Sequence, residues 1–438
     1  MVENFKNIII QFIPPSEKGY AMKIAHFSWE FPPAIWGGLG TFALELTQKQ
    51  AAKGNNVTVF ALNDQNKLNT TEVWNNVQVY RPRTLDLTST LSLFSNTDVG
   101  SWGSNFKFFA DVMDYNINSA STLIKNLVRK NGQSFDIIDG HDWLGIIGGM
   151  IVKKKLNIPL MFHVHSTEGG RSVGGGSTTI KNIEYEGGQF ADCVITVSYA
   201  MRDELIQIGF PQDKIRVCWN GVNPEKYDPT TVNTEDCKIL RKKYGIHDDE
   251  VMLFFIGRLV TVKGVDNLVK AMPNIINDFP KTKLVVLGVG DMENQLISMI
   301  NDLNINQNVI IRNEFVSEKE RILHYAASDI VVLPSLYEPF GIVCTEAMSM
   351  AKPVVVGARG TSGMREQIVP DGNEQCGIHI NPYDPNDIAW GVKEVLKSKE
   401  KANLMGQRAR KRVFELFSWD SVTERTLKIY NEFVCKNS

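Results

Sequence analysis

Short runs of β-branched and aromatic residues alternate with longer stretches whose apolar positions recur at helical spacing, over almost the whole chain. Runs this short and apolar on both sides fit strands buried in a parallel sheet, and the amphipathic stretches between them fit crossover helices. In the first half the strand candidates are KIAHFS at 23–28, NVTVFAL at 56–62, VQVYR at 77–81 and DIIDG at 136–140, followed by PLMFHVH at 159–165, CVITVS at 193–198 and KIRVCWN at 214–220. The rhythm restarts with VMLFFIG at 251–257, KLVVLGVG at 283–290, NVIIRN at 308–313, DIVVLPS at 329–335, KPVVVGA at 352–358 and GIHINP at 377–382. Helices are expected at 41–53, stopped by Gly54, in the segment KILRKKYG, and from Ser418 as N-cap to Val434.

The rhythm breaks at 223–250, a polar segment containing NPEKYDPTTVNTED. The pattern therefore predicts an α/β protein of two tandem, doubly wound, Rossmann-like domains, with a hinge near residue 223. Residues 1–21 form an N-terminal extension, 22–222 the first domain, 223–415 the second, and 416–438 a terminal helix. A length of 438 residues agrees, because single cores stop growing at roughly 250–300 residues. Ligands of such sheets bind outside the carboxyl ends of the strands, so two facing sheets would make a cleft.

Composition narrows the function classes. With 47 basic and 49 acidic side chains, a net charge of −2 and 43% hydrophobic residues, the chain has no excess charge for nucleic acid or an anionic membrane surface. The most apolar window, 143–152, is followed by three lysines; it is about half a membrane span and reads as a buried helix. The start of the chain shows no clear cleavage site for a signal peptide. The six cysteines have no C-x-x-C spacing and no metal-ligand pattern, which fits reduced thiols in a cytoplasmic protein.

Candidate chemistry sits at the strand ends. EFPPAIWGGLG at 30–40 joins the first strand to a helix, and its glycines Gly37 and Gly38 would let backbone N–H groups approach a phosphate. The spacing is not G-x-G-x-x-G, and no acidic partner follows a second strand, which argues against a dehydrogenase. GHDW at 140–143 and HVHSTEGG at 163–170 end two further strands, where histidines and carboxylates are expected to point into the cleft mouth. Of the two histidines in HVH, His165 is favoured as last on its strand. A zinc site from His141, His163 and His165 would need a ligand geometry that nothing in the spacing fixes.

In the second half, GRLVTVKG at 257–264 puts Arg258 and Lys263 past a strand end, where a fork and a point charge suit a diphosphate as well as they suit a solvated surface. LGVGD at 287–291, with Gly288, offers a turn against which a nucleoside would lie, and RGTSGMRE at 359–366 is a further glycine-rich turn. YEPFGIVCTE at 337–346 sets Glu338 at the mouth of a helix and Glu346 more than one turn in. They are too offset to share one reacting bond. The inner one suits a vicinal diol, and either would also satisfy a helix dipole.

Together EFPPAIWGGLG, GHDW, HVHSTEGG, ADCVITVS, NGVN, GRLVTVKG, EPFGIVCTEA and the terminal FSWD resemble the retaining nucleotide-sugar glycosyltransferases of the two-domain GT-B type, family 4, near the glycogen and starch synthases. The resemblance runs from Met22 to the last helix. It implies a GT-B fold whose terminal helix crosses back to the first domain. It also implies transfer of a hexosyl unit, glucosyl in the first instance, from a UDP-, ADP- or GDP-sugar to an acceptor hydroxyl, with retention and without a metal or other cofactor.

By the same resemblance Arg258 and Lys263 bind the diphosphate, Glu346 holds the ribose, and Glu338 with the backbone of Phe340 and Gly341 positions the sugar. Gly37 and Gly38 face the phosphates, His165 lies near the sugar, and Asp142 lies on the acceptor side. One position departs: ADP-glucose-using glycogen synthases carry lysine two residues before the paired glycines, and here it is Ile35. That leaves open a growing α-glucan or, alternatively, a lipid, small-molecule or surface-glycan acceptor. A nucleotide-sugar epimerase and a silent binding protein are the remaining rivals. The stretch 85–115, rich in Ser, Thr, Phe and Trp, is a place where acceptor choice would be encoded.

Overall fold

The computed structural model describes residues 21–86 and 104–434, so the extension and most of the 85–115 stretch lie outside the described residues. Fourteen strands form two sheets among these residues. β1 (Lys23–Phe27), β2 (Asn56–Phe60), β3 (Thr71–Trp74), β4 (Val77–Tyr80), β5 (Ile137–His141), β6 (Leu160–Val164), β7 (Cys193–Thr196) and β8 (Ile215–Val217) make the first, in the order β3-β4-β2-β1-β5-β6-β7-β8. β9 (Val251–Ile256), β10 (Thr282–Leu287), β11 (Val309–Arg312), β12 (Ile330–Leu333), β13 (Val354–Gly357) and β14 (Gly377–Ile380) make the second, in the order β11-β10-β9-β12-β13-β14. The two sheets belong to two Rossmann-like domains.

All pairings are parallel except β3 with β4, a hairpin turned by Asn75 and Asn76, both at positive φ. The runs IIDGH, LMFHV, IVVL and VVVG are buried at every position because helices cover both faces, which is why these strands read as apolar without alternation. Two corrections to the sequence pattern concern local chemistry. TEVW at 71–74 is an exposed edge strand, too short and too polar to stand out. The helix expected at 41–53 begins at Gly38, so the second glycine of the loop already belongs to its first turn.

In both sheets strand order reverses beside the first strand, between β1 and β5 and between β9 and β12. That reversal opens a crevice at the carboxyl ends of these strands. The helix Trp419–Val434 returns to the first sheet: Trp419, Val422, Ile429 and Tyr430 pack with Ile24, Phe42 and Leu46. Lys49–Asp420 and Lys53–Glu424 pair at 2.8 Å along its edge. The two chain crossings touch where Val222 N donates to Phe417 O at 2.8 Å. No described helix is long and apolar enough to cross a membrane, and the five described cysteines are free thiols.

Candidate active site

Between the two sheets lies a cleft of about 1470 Å³. Its walls come from the segments that follow β1, β5, β9 and β12, the strands flanking the two order reversals. Gly37, Gly38 and Asp142 line it from the first domain, and Arg258, Lys263, Gly288, Glu338 and Glu346 from the second. Phe340, Gly341 and His165 stand behind that surface. The Phe340 side chain is in the core, and Gly341, at φ +89, is the N-cap of the helix Ile342–Ser349.

The glycine loop presents a helix start without a side-chain cap, Gly37 before Gly38–Ala52. The Glu30 carboxylate, which sequence reading passed over, fixes that loop: its Oε2 accepts from Trp36 N at 3.0 Å, Gly37 N at 3.0 Å and Gly40 N at 3.2 Å. The helix Ile342–Ser349 also starts without a side-chain cap. The two starts lie close together, since a Cβ built on Gly38 would lie 3.7 Å from Ile342 Cδ1. Both ends carry partial positive charge, which Glu30 already offsets in part at the first.

On the second-domain side Arg258 is exposed, and Lys263 forms a short ion pair with Glu338. Ser335 Oγ adds a 3.4 Å contact to the same carboxylate oxygen. Glycine at 288 is required by close approach, because a Cβ there would sit 1.9 Å from Gly257 O.

Glu346 is held by groups the sequence did not announce. Tyr227 donates to its Oε1 and Tyr325 to its Oε2, each at 2.8 Å, and Arg321 lies 3.2 Å away. Burial raises the Glu346 pKa, against the opposing pull of Arg321 and the two hydroxyls. Oε1 faces both Tyr227 and Arg321, whereas Oε2 takes Tyr325 alone and keeps a lone pair with which to accept from a diol. Tyr227 comes from the stretch between the domains and Arg321 and Tyr325 from the helix Glu318–Ala327, so only tertiary structure joins them.

Comparison with known proteins shows the family. Residues 36–226 match the family described as Glycosyltransferase Family 4, and residues 236–412 match Glycosyl transferases group 1. An uncharacterized glycosyltransferase of Methanocaldococcus jannaschii is 34% identical over 93% of this chain and 98% of its own length. The chain belongs to the GT-B glycosyltransferases. A glycogen synthase of Mycobacterium tuberculosis is 27% identical over 93% of this chain and 94% of its own. The solved catalytic domain of starch synthase IV from Arabidopsis thaliana, bound to ADP and acarbose, superposes with a TM-score of 0.70 at 16% identity, covering 95% of this chain and 100% of that one.

The first domain of the glycosyltransferase supplies a second cluster, beside the glycine loop. Asp142 adopts a left-handed φ of +50, an uncommon conformation for a non-glycine residue, and its Oδ1 accepts from His165 N at 2.7 Å. Burial raises its pKa. His141 does not point into the cleft mouth as its strand-end position suggested: it is fully buried, and burial drives its pKa down to about 3. It faces the helix Gly38–Ala52, as does His163, which turns to Asp139 at 3.3 Å. His141, His163 and His165 do not converge on one point as zinc ligands; among the described residues the close trio is His26, Asp139 and His141.

Glu184, also unanticipated, accepts from Glu168 N at 2.9 Å and faces Arg171 at 3.3 Å. Burial lifts its pKa to about 7, with Arg171 pulling the other way. A carboxyl whose folded pKa lies above its unfolded 4.5 stabilises the fold below that unfolded value, and the contribution is lost as pH rises to about 7. Glu184→Gln should therefore gain stability relative to wild type across this window. Thermal unfolding of both proteins at the two ends checks it, and a difference independent of pH would refute it.

Tyr337, next to Glu338, reaches into the first domain. Its hydroxyl accepts from Thr167 N at 3.1 Å, and a Cβ on Gly170 would sit 2.0 Å from its ring. Glu366 makes a second cross-domain contact, accepting from Tyr199 N at 3.0 Å and Ala200 N at 2.7 Å. Gly170→Ala must displace the Tyr337 ring, so a loss of about 1–3 kcal/mol is expected by overpacking, together with lower kcat. Denaturant unfolding and steady-state rates measure both, and an unchanged kcat would show that this contact does not serve turnover.

Proposed function

We propose that the cleft takes a nucleoside diphosphate sugar and that the protein transfers its hexosyl unit to an acceptor hydroxyl with retention of configuration. The observation that carries this reading is that two helix N-termini, from opposite domains, line one cleft with Arg258 and Lys263. Helix N-termini and two cations along one cleft suit a diphosphate, which would take Lys263 in competition with Glu338. Glu346 then accepts the ribose hydroxyls and Glu338 sugar hydroxyls, with the backbone at Phe340 and Gly341 beside it. Asp142 stands on the acceptor side and His165 near the sugar.

Retention through a covalent intermediate would need a carboxylate nucleophile at the anomeric carbon, and Glu338 is committed to Lys263. The step we assign is therefore a same-face displacement. The bond from C1 to the leaving phosphate oxygen breaks, the acceptor oxygen bonds C1 on the same face, and the acceptor proton passes to the phosphate oxygen. Arg258 and Lys263 stabilise the charge on the departing nucleoside diphosphate. Domains 22–222 and 223–415 close about a hinge near 223, bridged by 416–438, and closure excludes water.

The acceptor we favour is a growing α-glucan, as the relation to glycogen synthase suggests. Ile35, at the place where ADP-glucose-using synthases carry lysine, lines the cleft and keeps UDP- and GDP-sugars and a lipid, small-molecule or surface-glycan acceptor in play. The test is nucleoside diphosphate release from UDP-, ADP- and GDP-glucose with glycogen or simple glucosides, followed by proton NMR of the product anomer. Acceptor-dependent release and an α-linked product are expected. A β-linked product would reject retention, and an epimerised free nucleotide sugar would reject transfer.

A further inference from the structure

Three histidines of the first domain form a hydrogen-bonded file that ends at His165. His26 Nδ1 lies 3.1 Å from His141 Nε2, and His141 Nδ1 lies 3.2 Å from His165 Nε2. Neighbouring rings are close to parallel, at 24° and 17°. Burial drives the pKa of all three down. Each is a neutral imidazole with one donor and one acceptor, so the direction of the file is set at its end.

That end is Gln50, on the helix whose first turn is the glycine loop: its Oε1 lies 2.8 Å from His26 Nε2. A carbonyl oxygen only accepts. The amide is oriented this way round because the Tyr430 hydroxyl donates to Asp139, leaving its oxygen free to accept on the Gln50 side. Gln50 Nε2 is directed loosely at that oxygen without reaching ordinary hydrogen-bond geometry. His26 thus carries its proton on Nε2, His141 on Nε2, and His165 on Nε2.

We propose that Gln50, acting through His26 and His141, is a positioning residue that holds His165 as the Nε2–H tautomer, so that its Nδ1 accepts a hydrogen bond from a hydroxyl of the bound sugar. Nδ1 makes no hydrogen bond to any described residue, and His165 is partly exposed beside the cleft residues Asp142 and Ser166. The sugar-facing role rests on the transferase reading; the tautomer does not.

The test is long-range nitrogen–proton NMR of the ligand-free full chain labelled with nitrogen-15 histidine, assigned with His141→Gln and His165→Gln. Nε2–H signals are expected for His26, His141 and His165. A His165 carrying its proton on Nδ1, an imidazolium, or an unprotonated pair at His26 Nδ1 and His141 Nε2 from a shared metal ion would overturn the proposal. Gln50→Met keeps the volume and removes the acceptor. It should give mixed tautomers at His165 and a kcat lower by roughly tenfold with donor KM nearly unchanged, the scale of one lost hydrogen bond. Unchanged His165 shifts in Gln50→Met would also overturn it, and if that variant does not fold, the wild-type spectrum decides alone. Because the spectra need no substrate, a failure of the transferase reading would show separately, as no turnover of any nucleotide sugar.

Discussion

Lys263→Ala should lower kcat by on the order of 10²–10³-fold while the KM for acceptor changes little. That is the scale of removing one fixed charge that meets a developing anion. The lysine follows β9 on a single turn, Thr261–Lys263, where backbone geometry rather than side-chain reach sets its position. It is already paired with Glu338, so in the proposed complex one ammonium would link the group that holds the sugar with the leaving phosphate. Its loss frees Glu338 to repel that phosphate, which adds to the kinetic effect. Lys263→Arg is not expected to restore the rate, because a planar fork does not replace a point charge at a fixed distance. Steady-state kinetics with donor and acceptor varied separately measures this; a small effect confined to acceptor KM would contradict the role.

Glu346→Ala acts on stability and donor binding together. The side chain is buried between Tyr227, Tyr325 and Arg321, and truncation leaves these groups their longer second contacts, to Glu318 and the Val343 carbonyl. Breaking a buried pair from one side costs about 3–5 kcal/mol; Arg321 is partly exposed to water, which puts the expected loss at the lower end. Donor affinity falls by about 10–100-fold, the worth of one hydrogen bond to a charged group. Glu346→Gln keeps acceptor and shape and should unfold closer to wild type while still losing affinity for the donor. Urea unfolding and nucleoside diphosphate titration separate the two effects. A Glu346→Ala protein that unfolds early yet binds the donor normally would confine the residue to structure.

Much of the architecture was legible because parallel strands are buried on both faces, so the runs at 251–256 and 330–333 stand out from the helices around them. Edge strand β3 was not legible, since an exposed four-residue strand carries little of that signal. The motifs placed Gly37, Arg258, Lys263, Glu338 and Glu346 at strand ends, and chain geometry brings strand ends of a doubly wound sheet to one cleft. What holds those groups was not legible. Glu30, Tyr227 and Arg321 reach their partners from other elements, and no spacing along the chain reports such meetings. His141 misled for a related reason: a strand end is a place in sequence, but the helix Gly38–Ala52 lies over it and turns the site inward.

The central claim is that the two helix starts, Arg258 and Lys263 together bind a nucleoside diphosphate sugar. Calorimetric titration of the wild-type protein with UDP-, ADP- and GDP-glucose, repeated on Lys263→Ala, tests it most directly. Saturable binding of at least one of the three is expected, weakened by about tenfold or more when the lysine is removed, the cost of one charge-assisted contact to phosphate. Binding of none of them, or binding indifferent to Lys263, would contradict it.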